Sequence, residues 1–147
     1  MKKKLWLLIV VALINGATYA QKPYARFNHV ALYVSDINKS TAFYTHFFHL
    51  DSIKTPGFNG SVKWFSLGGD LSLHLVQTKK ENISFPKDSH IAFSVASLND
   101  FIIILKKENI DYGSNGKSGV VNLRGDGVHQ IYFRDPDGYL IEVNDAP

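Results

Sequence analysis

The sequence predicts an α+β domain built from two copies of a βαβββ module, and three features predict it. Sliding the chain against itself until His29 meets His90 aligns HVALYVSDIN with HIAFSVASLN. Self-similarity of this kind marks a repeated supersecondary unit. Each copy begins with alternating apolar and polar residues, the period of a strand, and passes into a stretch with helical spacing. Near the C-terminus, Asp135-Pro136-Asp137-Gly138 is a tight-turn signal between two alternating segments.

The elements follow in order. After the first strand, a helix is expected from about Asn38 to His49, with Ser35 or Asp36 as N-cap, and in the repeat from about Leu98 to Glu108, capped by Ser97. Strands are expected near Asp51 to Thr55, Val62 to Leu67 and Leu71 to Gln77, with Gly57, Gly60, Gly68 and Gly69 as turn residues. The second copy gives strands near Ile110 to Tyr112, Gly119 to Leu123, Val128 to Phe133 and Tyr139 to Asn144. The chain of 147 residues suffices for one ordinary core, and half of it would struggle to bury a core alone. One domain is therefore expected over 25–147. It comprises module 1 at about 25–78, a polar linker at about 79–88 and module 2 at about 89–147.

The first twenty residues, MKKKLWLLIVVALINGATYA, read as a secretory signal peptide: a Lys cluster, a short apolar run, then small residues before Gln21. The apolar run is shorter than the roughly 20 residues a bilayer span needs, so cleavage and export are expected rather than a stable membrane anchor. The leader carries three of the 16 Lys and Arg and none of the 13 Asp and Glu. The mature domain is thus charge-balanced, which removes the electrostatic case for nucleic acid as a partner. With no cysteine, disulfides, thiolate ligands and a lipidated cleavage site are all excluded. Periplasm or the extracellular space is the expected location.

Side chains on a strand alternate between faces. Val30, Leu32 and Val34 form an apolar face, leaving His29, Ala31 and Tyr33 opposite; in the repeat His90, Ala92 and Ser94 take the corresponding side. Ser72, His74 and Val76 oppose the stripe Leu71, Leu73 and Leu75, and Leu140, Glu142 and Asn144 oppose Tyr139, Ile141 and Val143. His29, His74, His90 and Glu142 are therefore candidate ligands on one surface. Imidazole and carboxylate together suit one divalent metal ion of the Zn, Fe(II), Mn, Ni or Co kind, able to act as a Lewis acid. Tyr33, Trp64 and Tyr132 fall on the same side and are candidates to line a substrate pocket. His46 and His49 read as helix-end residues, and Arg124, Asp126 and His129 as a solvated turn.

These segments resemble the vicinal oxygen chelate superfamily of glyoxalase I, extradiol dioxygenases, fosfomycin-resistance enzymes and bleomycin-resistance proteins. HVALYVSDINKSTAFY, SHIAFSVASLND and YFRDPDGYLIEV carry the resemblance, over roughly Phe27 to Asp145. It implies two βαβββ modules forming a cupped, partly closed eight-stranded sheet around one metal site. The modules pair within one chain or are exchanged in a homodimer. His29, His90 and Glu142 match the family's ligand positions, and His74 stands where glyoxalase I has a glutamate that binds metal and moves a proton. The implied activity is that of an exported, metal-dependent, glyoxalase-I-like lyase or isomerase. It would chelate a small substrate through two oxygens and stabilise an enolate, with Glu142 as catalytic base. An Fe(II) extradiol-type dioxygenase, which the Tyr132 to Glu142 stretch resembles, and a non-enzymatic small-ligand or antibiotic-binding protein stay open as alternatives.

Overall fold

The computed structural model describes residues 25–57 and 59–147; the leader read from the sequence lies outside the described residues. Module 1 runs β1 (His29–Val34), α1 (Ile37–Phe48), β2 (Ser52–Ile53), β3 (Val62–Ser66) and β4 (Ser72–Gln77). A single 3-10 turn, Lys80–Asn82, lies in the connection. Module 2 runs β5 (His90–Ser94), α2 (Leu98–Lys107), β6 (Gly113–Ser114), β7 (Lys117–Ser118), β8 (Asn122–Leu123), β9 (His129–Arg134) and β10 (Leu140–Asn144). No helix among the described residues is long and apolar enough to cross a membrane.

Both helices start where their caps dictate. The Asp36 carboxylate accepts the amides of Asn38 and Lys39, at 3.0 and 3.1 Å, and the Ser97 hydroxyl accepts that of Asp100 at 3.2 Å. Each cap satisfies amides that would otherwise lack partners, a contribution of about 0.5–2 kcal/mol. His49 ends α1 in the left-handed conformation, φ 50°, so it is a helix terminator, as its position implied.

In each module the first strand lies parallel to the last. The first sheet has the order β1-β4-β3-β2, and the second β5-β10-β9-β6-β7, with β8 also paired to β9. The register repeats: His29 opposes Ser72 with His74 two residues on, and His90 opposes Leu140 with Glu142 two residues on.

The expected single eight-stranded sheet is not what one chain forms. Among the described residues the sheets share no ladder, and β1 and β5 are each an unpaired edge. The cause is how the modules pack. Both apolar faces turn onto one core, where α1 carries Phe43, Phe47 and Phe48 against Phe93 and Phe133 of the second sheet; the Phe48 and Phe93 rings stack at 4.0 Å.

A polar clasp fixes this arrangement. Asp137, in the turn before β10, accepts the Ser35 amide and hydroxyl at 3.0 and 2.6 Å, the Ser40 hydroxyl at 3.2 Å and the Lys80 ammonium at 3.2 Å. Asp135 takes the Tyr44 hydroxyl at 2.9 Å and the amides of Asp137, Gly138 and Tyr139. Burial pushes the Asp135 carboxyl above the usual range despite these donors. For Asp137 burial pushes up, but the Ser35 donors and Lys80 outweigh it and the carboxyl ends below that range. The clasp holds the helices inside and the opposite faces of both sheets outside.

Module 2 also departs from expectation between its helix and β9. The strand expected at Ile110 to Tyr112 is displaced to Gly113, because Asn115 and Gly116, at φ 51° and 72°, form a hairpin turn between β6 and β7. The strand expected over Gly119 to Leu123 shortens to Asn122–Leu123, where pairing to Gln130 and His129 begins.

Candidate functional site

On the outer face of the first sheet, three rings stack in a row. His74 lies 4.4 Å from His29 at 15° and 4.1 Å from Trp64 at 4°, centroid to centroid. The ladder puts them there, since Ala31 opposes His74 and Trp64 opposes His74 from the other side. The His74 Nε2 meets the Ser72 hydroxyl at 2.9 Å. Desolvation, followed by the proximity of His29, lowers its pKa and favours the neutral ring. The His29 Nδ1 faces the Asn28 side-chain oxygen at 2.8 Å and donates to it. These residues border a cavity of about 610 Å³ that also touches Ile53 and Asp70.

On the outer face of the second sheet the polar residues are more enclosed. Glu142 is only 5% exposed, so its charge needs partners. Its Oε2 accepts the Tyr132 hydroxyl at 2.6 Å, and its Oε1 accepts the Asn144 amide at 2.8 Å. Gln130 donates to the Tyr132 oxygen at 2.9 Å. Burial, then the hydrogen bond and charge of Glu142, push the Tyr132 pKa up to about 12, so the phenol stays a proton donor.

His90 completes this group. Its Nδ1 points at the Asp88 carbonyl at 2.9 Å, and a carbonyl only accepts, so Nδ1 carries the proton. Asp88 adopts a left-handed conformation, φ 63°, in the turn that presents this carbonyl. The same ring turns Nε2 toward Glu142 Oε2, 3.3 Å away. A groove of about 1020 Å³ opens beside them, bordered by Lys87, Gly113, Tyr132, Arg134 and Leu140.

The sequence-predicted residues thus come together as two pairs, His29 with His74 and His90 with Glu142. Among the described residues, no three His, Asp or Glu side chains converge to hold one ion. Trp64 borders the first cavity and Tyr132 the second groove, whereas Tyr33 borders neither and is 56% exposed on the β1 edge. The donor types of both pairs nevertheless suit a divalent ion. Two donors about 2.1 Å from one ion sit roughly 3 to 3.4 Å apart at tetrahedral or octahedral angles, the spacing of His90 and Glu142. An imidazole whose other nitrogen donates to an oxygen is the usual support of a metal-binding histidine, and both His29 and His90 have it.

Sequence reasoning missed three partners of this site. Asn144 and Gln130 are each two residues along a strand from Glu142 and Tyr132, so period-two spacing placed them on the same face. Arg124, read as part of a solvated turn, instead points Nη1 at Glu142 Oε1 from 3.6 Å. That proximity bridges two separate segments and carries no local signal.

Comparison with known proteins agrees with this architecture. The chain is 29% identical over 123 residues to Glyoxylase I 4 of Arabidopsis thaliana, spanning 79% of this chain and 68% of the relative. It is 34% identical over 124 residues to the metallothiol transferase FosB of Shouchella clausii (strain KSM-K16), spanning 80% and 77%. Among solved structures, the oxidase ChaP-H2 superposes with a TM-score of 0.67 at 19% identity, over 84% of this chain and 95% of that one. A lactoylglutathione lyase from Agrobacterium tumefaciens does so with a TM-score of 0.61 at 20% identity, over 84% and 95%. These two share the fold. The family model of the Glyoxalase/Bleomycin resistance protein/Dioxygenase superfamily matches residues 26–143, and the chain belongs to that superfamily.

Proposed function

We propose that this protein is an exported, metal-dependent enzyme of the glyoxalase-I-like lyase or isomerase type. Its site is assembled from His29 and His74 of one copy and His90 and Glu142 of a second. The observation that carries this reading is His90 Nε2 facing a carboxylate oxygen at 3.3 Å, the spacing of two ligand atoms on one ion, with Nδ1 held by the Asp88 carbonyl. Such an arrangement suits a divalent cation. The complementary pair lies on the other sheet of the same chain, and β1 and β5 are both free edges among the described residues, so a second copy supplies what each pair lacks. Export is supported by the Lys-rich, apolar and small-residue order of residues 1–20.

A divalent ion, when bound, supplies a Lewis acid for two adjacent substrate oxygens. The chain's own residues then divide the work. Glu142 is the base that accepts a proton from carbon next to a substrate carbonyl, one strand from Tyr132 and His90, which border the groove. Tyr132 donates to that oxygen and holds the carboxylate in one orientation. Trp64 fixes the plane of His74 by stacking, and Ser72 holds its Nε2, which suits His74 to a supporting position beside His29.

A second reading is favoured by one feature. Tyr132 stands edge-on to His90 at 5.4 Å and bonds Glu142, an arrangement compatible with an Fe(II) oxygenase using two histidines and a carboxylate. Mature protein purified without added metal and analysed by mass spectrometry tests the common premise: about one ion per site is expected, and no ion after reloading with Zn²⁺, Ni²⁺ or Fe(II) overturns both. Exchange of the proton next to the carbonyl of hydroxyacetone in deuterated water supports the lyase or isomerase. Oxygen uptake with catechols by the Fe(II) form, without such exchange, replaces it by the oxygenase. A loaded protein that does neither is a binding protein.

A further inference from the structure

Asn144 stands two residues beyond Glu142 on β10, opposite Gln130 on β9, and is almost fully buried. Its Oδ1 accepts the Ala146 backbone amide at 3.2 Å. A backbone N–H only donates, so the side-chain oxygen is fixed on that side and the hydrogen-bond network assigns Nδ2 to the other. There Nδ2 donates to Glu142 Oε1 at 2.8 Å. The two oxygens of the carboxylate are thereby made unequal. Oε1 carries the Asn144 donor and has Arg124 Nη1 at 3.6 Å. Oε2 carries the Tyr132 hydroxyl at 2.6 Å and is the oxygen that faces His90 Nε2 at 3.3 Å. A carboxylate oxygen has two lone-pair positions, so Oε2 keeps one beside His90 after Tyr132 has taken the other.

We propose that Asn144 is a positioning residue: it ties back Glu142 Oε1, so that the carboxylate meets the ion through Oε2 alone and a coordination position stays open for the second oxygen of a chelating substrate. This inference deepens the reading of His90 and Glu142 as ion ligands and rests on it. A carboxylate without such a restraint binds a divalent ion through one oxygen or through both. Binding through both uses two positions, and Lewis-acid work on a substrate needs positions left free. Period-two spacing on a strand puts Asn144 on the face of Glu142, where a short amide reaches the nearer oxygen. The donor's place is set by the backbone, through Ala146, and not by the ion, so Oε1 is restrained before any ligand arrives. Gln130, opposite on the ladder, donates to the Tyr132 oxygen at 2.9 Å and does not replace Asn144 at Oε1.

The test loads the mature protein with saturating Co²⁺, whose visible bands report ligands entering its coordination shell. Two probes are titrated: acetohydroxamate, which chelates through two adjacent oxygens, and azide, which needs one position. Asn144→Leu is expected to bind acetohydroxamate at least about tenfold more weakly than wild type, the lower end of what losing an outer hydrogen bond costs a metal site. Azide should change less than about twofold, well under the 1.4 kcal/mol of a tenfold step. Asn144→Gln, which keeps the donor on a longer stem, should recover part of the loss. Saturating Co²⁺ takes any change in metal affinity out of the comparison, and thermal unfolding checks the fold. Where Asn144→Leu does not fold, Asn144→Val, whose branched side chain suits a strand, carries the same comparison. Equal losses for both probes, or unchanged acetohydroxamate binding, overturn the inference and leave the metal reading intact. A wild type that takes up no Co²⁺ overturns the metal reading, and this inference with it.

Discussion

His90 Nε2 and Glu142 Oε2 face each other at 3.3 Å, with the His90 Nδ1 proton committed to the Asp88 carbonyl. Two ligand atoms about 2.1 Å from one ion stand at this spacing. Strand pairing builds the contact in: Glu142 pairs with Ala92, two residues from His90 along a parallel ladder. Substituting either side is therefore expected to weaken metal binding much more than it weakens the fold. His90→Ala and Glu142→Gln should each cost about a hundredfold in Zn²⁺ affinity, the range seen when a ligand or its support is lost. Unaltered affinity, measured by chelator competition, would remove both residues from the site.

Tyr132 provides a pH signature. Its pKa is pushed up to about 12 from an ordinary 10.0, burial being the largest cause and Glu142 the next. The sign follows from linkage: the folded state holds the phenolic proton more tightly than the unfolded chain. This contribution to stability is thus fully present below pH 10 and is lost as pH rises toward 12. Difference titration of wild type against Tyr132→Phe, followed at the phenolate absorption band, should show the missing phenol ionising about two units above an exposed tyrosine, within the protein's stable range. An ordinary titration near pH 10 would mean that the bond to Glu142 is not made in solution.

The Asp135 clasp predicts a stability effect remote from the site. Tyr44 is fully buried, and among the described residues its hydroxyl is the sole side-chain donor to Asp135. Tyr44→Phe keeps the ring packing and strands a buried carboxylate oxygen, at a cost of about 1–3 kcal/mol. Urea unfolding measures this as a lower midpoint with an unchanged slope. A midpoint at the wild-type value would show that Asp135 finds another donor and that the clasp does not set the inter-module geometry.

Local chemistry made much of the fold legible. The caps at Asp36 and Ser97 fix where the helices begin, and strict alternation alone sorts His29, His74, His90 and Glu142 onto the faces opposite the apolar stripes. Matching residues in the repeat also carried the register, since His29 and His90 occupy equivalent ladder positions. Two features escaped for physical reasons. The β6–β7 hairpin depends on two residues, Asn115 and Gly116, taking positive φ inside a segment too short to show alternation. The separation of the sheets depends on which edge β1 and β5 find, and no property within a strand encodes its neighbour when the alternative neighbour is another copy of the chain.

That last point makes the assembly testable by mixing two inactive proteins. If the site joins His29 and His74 of one copy to His90 and Glu142 of another, a His29→Ala chain keeps an intact second pair and a Glu142→Gln chain keeps an intact first pair. Each homodimer has two damaged sites. A heterodimer has one site with both defects and one with neither, since the two-fold relation sends the two lesions to the same site. Random pairing makes half the dimers mixed, so unfolding and refolding the variants together should restore about a quarter of the wild-type metal sites. Sites closed within one chain predict no restoration, because every chain carries a lesion. Light scattering on the mature protein supplies the other arm: a monomer at concentrations where it binds metal at full occupancy would refute the shared site, leaving the two pairs to meet by rearrangement of the modules.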